Sequence, residues 1–434
     1  MEKEKLVING GKPLTGEIEV SGMKNSAVAI IFGTILTEDK CVIENLPNIS
    51  DVTHSLAILQ SIGAKVKRIN KTTYEIDTRK IKPGSSPYDL VRKMRASYYI
   101  LGAELGRFGK AHAAYPGGCD FGTRPIDQHI KGFEALGAKI DVESAYIDAD
   151  ATANGGLVGA NIYMDCVTVG ATINIMLAAC KANGTTVIDN AAREPHVVDL
   201  ANFLNASGAN ITGAGTDVIK IKGVQKLHGV NYAVIPDMIE AGTFMVAAAA
   251  TGGDLLITNL IPKHVESISA KLIEMGVNVE EFDDSIRISR SGPLNKISVK
   301  TLPYPGFPTD MNPQMCVLMC LADGVSMLSE GVWDNRFRYV EELILMGADI
   351  KVDGKLAVIQ GPTEFSAAPV KAVDLRAGAA MIIAGLVASG KTEIENIHHI
   401  QRGYEDIVGK LSGAGADIKL VTVIDNTDAM PIAN

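Results

Sequence analysis

Aromatic side chains are scarce in this sequence: one tryptophan, and 5% aromatic residues in 434. Base-stacking surfaces are therefore not expected, and plentiful Ala and Gly point instead to close packing of small-faced helices. Basic residues are outnumbered, and the net charge of −9 argues against a general nucleic-acid binder. It leaves room for an anionic small molecule, because a local group of Arg and Lys can oppose the global sign. No uncharged apolar run reaches the length of a membrane span, and the start, Met1-Glu-Lys-Glu-Lys-Leu-Val-Ile, does not read as a signal peptide. A cytoplasmic location is expected, with no membrane partner. The six cysteines (Cys41, Cys119, Cys166, Cys180, Cys316, Cys320) are scattered, without a CxxC, so free thiols are expected rather than a disulfide framework. Cys316 and Cys320 read as core residues. The histidines His129, His398 and His399 lack metal-ligand spacing, and no metal is expected.

What is abundant is internal repetition. Gly-Ala-x-Ile and its variants recur at Gly63, Gly137, Gly208, Gly276, Gly347 and Gly415, at intervals of 68 to 74 residues. Repeats of this kind set the architecture before any motif is read. Each unit reads as an apolar helix, a short strand, an amphipathic helix closed by the repeat glycine as its C-cap, and further strands. That is a βαβαββ unit, six times. Three units form one domain over 24–234. Three more form a second over 235–426, completed by residues 1–23. The tail 427–434 has no evident core role and is expected to be mobile.

The repeat frame disarms one motif. Gly385-Leu-Val-Ala-Ser-Gly-Lys-Thr392 fits the phosphate-loop pattern, which requires a strand before it and a helix after it. Here the apolar helix comes first and the strand second, so Lys391 reads as a turn residue.

The same frame shows where polar residues are out of place. The starts of the apolar helices carry Lys24-Asn25, Arg95, Thr168, Asp310, and Asp374 with Arg376, and the loops add Arg124 and Arg402. Charges beside buried helices are costly unless paired or functional. Structural ion pairs are one reading. The other is a site for a phosphate- and carboxylate-bearing substrate at helix N-termini, with Asp310 as a general base. The loop Pro116-Gly-Gly-Cys-Asp-Phe-Gly-Thr-Arg-Pro125 places Cys119 five residues before Arg124, and Pro125 suits the first turn of a helix. A thiol near a fixed cation is inclined to acid or nucleophile chemistry.

Taken together, Ser21-Gly-Met-Lys-Asn, Met94-Arg-Ala-Ser, the Cys119 loop, Val167-Thr-Val-Gly-Ala-Thr, Ala192-Arg-Glu-Pro, Phe307-Pro-Thr-Asp-Met, Asp374-Leu-Arg-Ala and Arg402-Gly-Tyr-Glu resemble the UDP-N-acetylglucosamine enolpyruvyl transferase family over nearly the whole chain. The resemblance implies a two-domain inside-out α/β barrel of six βαβαββ repeats that closes over its substrate. It implies a bacterial enzyme of peptidoglycan synthesis that moves the enolpyruvyl group of phosphoenolpyruvate to the 3′-hydroxyl of UDP-N-acetylglucosamine and releases phosphate, with no cofactor.

By that resemblance Cys119 donates the proton and is the target of fosfomycin, and Asp310 is the base. Lys24, Asn25, Arg124 and Arg402 hold phosphoenolpyruvate, Lys24 and Arg402 with a catalytic part. Arg95, Arg124, Pro125, Ile126, Asp127, Gln128, Cys166, Val167, Thr168, Val169, Gly170, Asp310 and Val332 contact the UDP-sugar. Asp374, Arg376 and His129 stand behind them. Two positions depart from the pattern: Tyr99 replaces a Trp of some members, and Cys166 replaces a Lys. The rivals are a 5-enolpyruvylshikimate-3-phosphate synthase type of transferase and a non-catalytic UDP-sugar-binding regulator. The oligomeric state is left open, and a monomer is compatible with the sequence.

Overall fold

In the computed structural model, which describes residues 2–84, 89, 94–114, 126–143 and 146–424, every repeat glycine has positive φ: Gly63 110°, Gly137 94°, Gly208 101°, Gly276 90°, Gly347 100° and Gly415 96°. Each follows an outer helix and turns the chain into a strand, where a side chain would be strained. A second recurrent device sits at the strand ends. Asn45, Asn190, Asn259 and Asn396 have φ of 56–59°, a region Asn tolerates better than most residues. Three of these amides donate to a neighbouring strand's carbonyl: Asn45 to Val234 at 2.8 Å, Asn190 to Met164 at 2.9 Å and Asn259 to Val20 at 2.7 Å.

The chain forms two units. One comprises Ser21–Asp237 and Pro303–Pro305; the other comprises Met1–Val20, Met238–Leu302 and Gly306–Asn434. Ser21–Met23 and Ile235–Asp237 thus go with the first-named unit, and so does the tripeptide Pro303–Pro305 from between two strands of the other.

Among the described residues, each unit has three interior helices. In the first they are α1 (Lys24–Gly33), α2 (Tyr99–Phe108) and α3 (Val169–Ala179); in the second, α4 (Met238–Thr251), α5 (Asn312–Cys320) and α6 (Leu375–Val387). They are mostly apolar and almost wholly buried, as a helix without a solvent face must be. Cys180, Cys316 and Cys320 are buried among them, and burial pushes the Cys180 thiol up to about 12.

Among the described residues, six small sheets lie around these helices, three per unit. In five of them, strands of one repeat pair antiparallel. Among the described residues, a strand from elsewhere adds in parallel to the repeat's first strand in every sheet but that of Lys110–Ala114, Lys139–Val142 and Tyr146–Asp150. Asn231–Ala233 pairs with Lys40–Glu44 (Tyr232 opposite Ile43), and Asn161–Tyr163 with Thr185–Asp189. In the other unit Thr15–Glu19 pairs with Asp254–Thr258, Ser298–Lys300 with Ala322–Ser329 and Pro369–Lys371 with Lys391–Glu395. Each repeat is stitched to another, as stacked repeats require. The N-terminal strand Glu2–Asn9 lies between Lys391–Glu395 and Asp417–Ile424, antiparallel to both.

The phosphate-loop look-alike is helix α6 followed by strand Lys391–Glu395. Lys391 opens that strand rather than sitting in the turn expected of it, and its Nζ lies 2.7 Å from Glu393. No helix among the described residues is long and apolar enough to cross a membrane.

Candidate active site

The expected site residues fall into two groups, one in each unit. In the unit of α1–α3, Lys24 is the first residue of α1, and its ammonium lies 3.0 Å from the buried carboxylate of Asp51. Its backbone N–H donates to Asp237 at 3.1 Å. Asn25 follows, half-buried. Ser26 donates to Asp199, which also accepts from the Tyr232 hydroxyl at 2.5 Å and from the Ile235 N–H at 3.3 Å. Burial raises the Asp199 pKa, and those bonds oppose the rise. The start of α1 is thereby fastened to the strand that leads out of the unit.

The N-terminus of α3 is built differently. Its flanking residue Thr168 makes no side-chain cap, so the N–H groups of the first turn are left for an acceptor of another kind. Gly170 is held to glycine by contact, since an added Cβ would fall 2.4 Å from the Tyr98 hydroxyl. Tyr98 meets His129 edge-on at 4.8 Å. Asn174 accepts from the Gly102 N–H at 3.0 Å, which orients its amide, and its Nδ2 lies 3.0 Å from His129 Nδ1. With the amide nitrogen donating, the imidazole keeps its proton on Nε2.

Beside this helix start, Gln128 is nearly buried and ties two segments together. Its Nε2 donates to Asp165 and to Asp127, both at 3.0 Å, while its Oε1 accepts from the Asp165 N–H at 3.0 Å. Lys131 pairs with Asp165 at 2.8 Å. Cys166 and Val167 are exposed, and Ile126 is buried. The Cys166 thiol is raised by burial first and then by Asp127 and Asp165, which makes it a poor thiolate. Cys119, Arg124 and Pro125 lie outside the described residues, as does the tail 427–434. Of Arg95 the backbone opens the turn Arg95–Tyr98, and its side chain lies outside the description.

In the other unit, Asp310 stands on the short turn Thr309–Met311 ahead of α5. Arg376 Nε and Nη2 both approach its Oδ2 at 3.1 Å, and Arg336 Nη2 lies 3.7 Å from Oδ1. Both arginines are buried. Arg376 also covers the Tyr404 ring, 5.4 Å from its centroid. Asp374 caps α6, its Oδ1 accepting from the N–H groups of Arg376 at 2.8 Å and Ala377 at 2.9 Å. Arg402 ends the turn Ile397–Arg402, half-buried. Val332 is half-buried, with its N–H bonded to Glu330.

The structure thus brings Asp310, Arg376 and Arg336 together, and Asp127, Gln128 and Cys166 together. Sequence reasoning missed Asp51, Arg336, Glu330 and Glu240. Glu240 is buried in α4 and pairs with Lys410 at 2.6 Å. The repeat frame held one signal: Glu330 stands where four other repeats have their strand-end Asn. Among the described residues no group of three or more His, Cys, Asp or Glu is placed to hold a metal ion.

The pattern of the EPSP synthase (3-phosphoshikimate 1-carboxyvinyltransferase) family matches residues 8–411. The chain is 56% identical over 415 residues to UDP-N-acetylglucosamine 1-carboxyvinyltransferase 3 of Caldanaerobacter subterraneus subsp. tengcongensis, covering 96% of this chain and 99% of that one. It is 54% identical over 415 residues to the UDP-N-acetylglucosamine 1-carboxyvinyltransferase of Clostridium botulinum, covering 95% and 99%. Among solved structures, the enolpyruvyl transferase NikO from Streptomyces tendae matches with a TM-score of 0.87 at 27% identity, over 98% of this chain and 100% of that one. EPSP synthase from Acinetobacter baumannii matches with a TM-score of 0.75 at 19% identity, over 96% and 100%, a likeness of fold alone.

Proposed function

The chain belongs to the EPSP synthase family, and from that premise we propose that it transfers the enolpyruvyl group of phosphoenolpyruvate to the 3′-hydroxyl of UDP-N-acetylglucosamine with release of phosphate. The observation that carries the choice of acceptor is the 56% identity, over 96% of this chain, to a UDP-N-acetylglucosamine 1-carboxyvinyltransferase. The shikimate-type alternative has behind it the description of the matching family and a fold likeness at 19% identity, against relatives of over 50% identity for the sugar-nucleotide acceptor.

The chemistry is an addition followed by an elimination. Asp310 takes the proton of the 3′-hydroxyl as its oxygen bonds to C2 of phosphoenolpyruvate, while Cys119 gives a proton to C3. Loss of a proton from C3 then re-forms the double bond as the C2–O bond to phosphate breaks. Lys24, Asn25, Arg124 and Arg402 hold the phosphate and carboxylate. The arginines on Asp310 hold its carboxylate in one orientation, which a base requires. The uncapped start of α3 suits the diphosphate, because helix N-termini present N–H donors and positive potential. Arg95, the segment 124–128, Cys166, Val167 and Val332 complete the sugar-nucleotide contacts. Asp374, Arg376 and His129 orient those groups from behind. The reaction is cytoplasmic and serves peptidoglycan synthesis, and fosfomycin alkylates Cys119.

Phosphate release measured with each acceptor tests this. Turnover with UDP-N-acetylglucosamine and none with shikimate 3-phosphate is expected; the reverse pattern overturns the reading. Cys119→Ser together with Asp310→Ala should abolish turnover, and an undiminished rate would show that these roles are misassigned.

A further inference from the structure

Glu330 follows the strand Ala322–Ser329, at the place where four other repeats carry an Asn with positive φ. Three of those asparagines donate; the Glu330 carboxylate accepts, and it is buried, 3% exposed. Its Oε2 accepts from the Thr309 hydroxyl at 3.1 Å and from Asn312 Nδ2 at 2.9 Å. Its Oε1 accepts from the N–H groups of Val332 at 2.9 Å and Trp333 at 3.0 Å. Four donors need two acceptor oxygens, which a carboxylate has and an amide does not. A buried carboxylate is tolerable when it is fully bonded in this way.

The donors are not scattered. Thr309 and Asn312 flank the turn that carries Asp310, and Val332 and Trp333 form the loop after the strand. Two neighbours secure the same turn. Arg336 donates to the Thr309 carbonyl from Nε at 3.2 Å and Nη2 at 3.1 Å. The Tyr339 hydroxyl donates to Asn312 Oδ1 at 2.6 Å. Asp310 itself, a third exposed, is held on a frame of buried groups.

We infer that Glu330 is a positioning residue for the transfer reaction: one carboxylate fixes the turn bearing the base Asp310 and the loop bearing Val332 in a single register. The inference rests on Asp310 being the base. Glu330 touches no substrate and moves no proton. It acts by holding the base within the narrow geometry that proton removal needs, where a displacement of about 1 Å costs about 100-fold in rate.

The test is Glu330→Gln, which keeps size but leaves two donors without a carboxylate oxygen. Single-turnover rates of the full chain, with both substrates, count slow variants as well. The expected result is a rate lowered by about 10- to 100-fold, with KM for phosphoenolpyruvate within about threefold and the melting temperature little changed. Thr309→Val removes one of the four donors and should lower the rate by a smaller factor. It also serves if Glu330→Gln does not fold. Combining Glu330→Gln with Asp310→Asn separates a positioning role from a structural one, because groups acting through one another are not additive. In the Asp310→Asn background Glu330→Gln should cost less than about twofold.

An unchanged rate in Glu330→Gln, an unchanged rate in Thr309→Val, or a full additional loss in the Asp310→Asn background overturns the inference. A wild-type chain that turns over only with a different acceptor overturns the proposed reaction instead.

Discussion

Removing the Asp374 carboxylate isolates one cap on an interior helix. Helix α6 starts directly after it, and one oxygen, Oδ1, takes both the Arg376 and the Ala377 N–H. Asp374 is 5% exposed, so water replaces those bonds poorly in Asp374→Ala. An N-cap lost to alanine costs about 0.5–2 kcal/mol, and loss of an anion at a helix start costs about 0.3–1 kcal/mol. The two overlap, because the same oxygen supplies both. Since α6 is packed on all sides, fraying cannot relieve the cost, and about 2 kcal/mol is expected at the upper end of the cap range. For a unit of roughly 200 residues, that is a fall of about 4–8 °C in its melting temperature. In urea the midpoint should drop without a change of slope. Asp374→Asn keeps an acceptor oxygen and should stay within about 0.5 kcal/mol of wild type, Asn and Asp being comparable caps. If the Asn variant is as unstable as the Ala variant, the carboxylate acts by charge and the capping argument is wrong. If Ala is as stable as wild type, the cap contributes nothing.

The other predictions concern the frame and one of its buried carboxyls of raised pKa. Gly137→Ala meets no atom within 4 Å of the new Cβ, at φ 94°, so it should cost only the backbone strain of about 1–2 kcal/mol. Gly63→Ala should cost more in urea unfolding, because its Cβ would lie 2.8 Å from the Lys80 carbonyl oxygen; equal costs would refute the strain argument. Glu104 is buried in α2, accepts from the Gly84 N–H at 3.3 Å, and is pushed up to about 7, chiefly by burial. A carboxyl raised in the folded state contributes stability below its unfolded pKa, near 4.5, and loses it as pH rises through the folded value. Glu104→Gln should therefore gain on wild type between pH 5 and 8, by up to roughly 3 kcal/mol. A stability difference independent of pH, followed by thermal unfolding across that range, would show that Glu104 is not held protonated.

How far the sequence speaks depends on which physics the residue answers to. The repeat glycines were legible because only glycine is comfortable at the φ they adopt, so the helix ends and the six-part architecture could be read from spacing alone. The reversed order of α6 and Lys391–Glu395 was legible for the same reason, and it disposed of the phosphate-loop pattern. The link between Asp310 and Arg376 was only half legible. Both were noticed as charges beside apolar helices, but 66 residues separate them in the chain and nothing local pairs them. Asp51 was invisible, since an Asp in the first turn of the helix Ser50–Ser61 looks like an ordinary favourable charge; only the fold brings it to Lys24. Glu330 was readable as a departure from the strand-end Asn, though its function as a fourfold acceptor depends on Thr309 and Asn312, which the sequence does not place beside it.

The addition–elimination itself is tested most directly by running the reaction in deuterium oxide with UDP-N-acetylglucosamine and phosphoenolpyruvate, and examining the sugar product by NMR. If Cys119 delivers a solvent-exchangeable proton to C3, which then loses a proton in the elimination, the product is an enolpyruvyl ether at the 3′-oxygen with deuterium on its vinyl carbon. A product without vinyl deuterium would contradict that route, and phosphate release without any 3′-ether would contradict the transfer altogether.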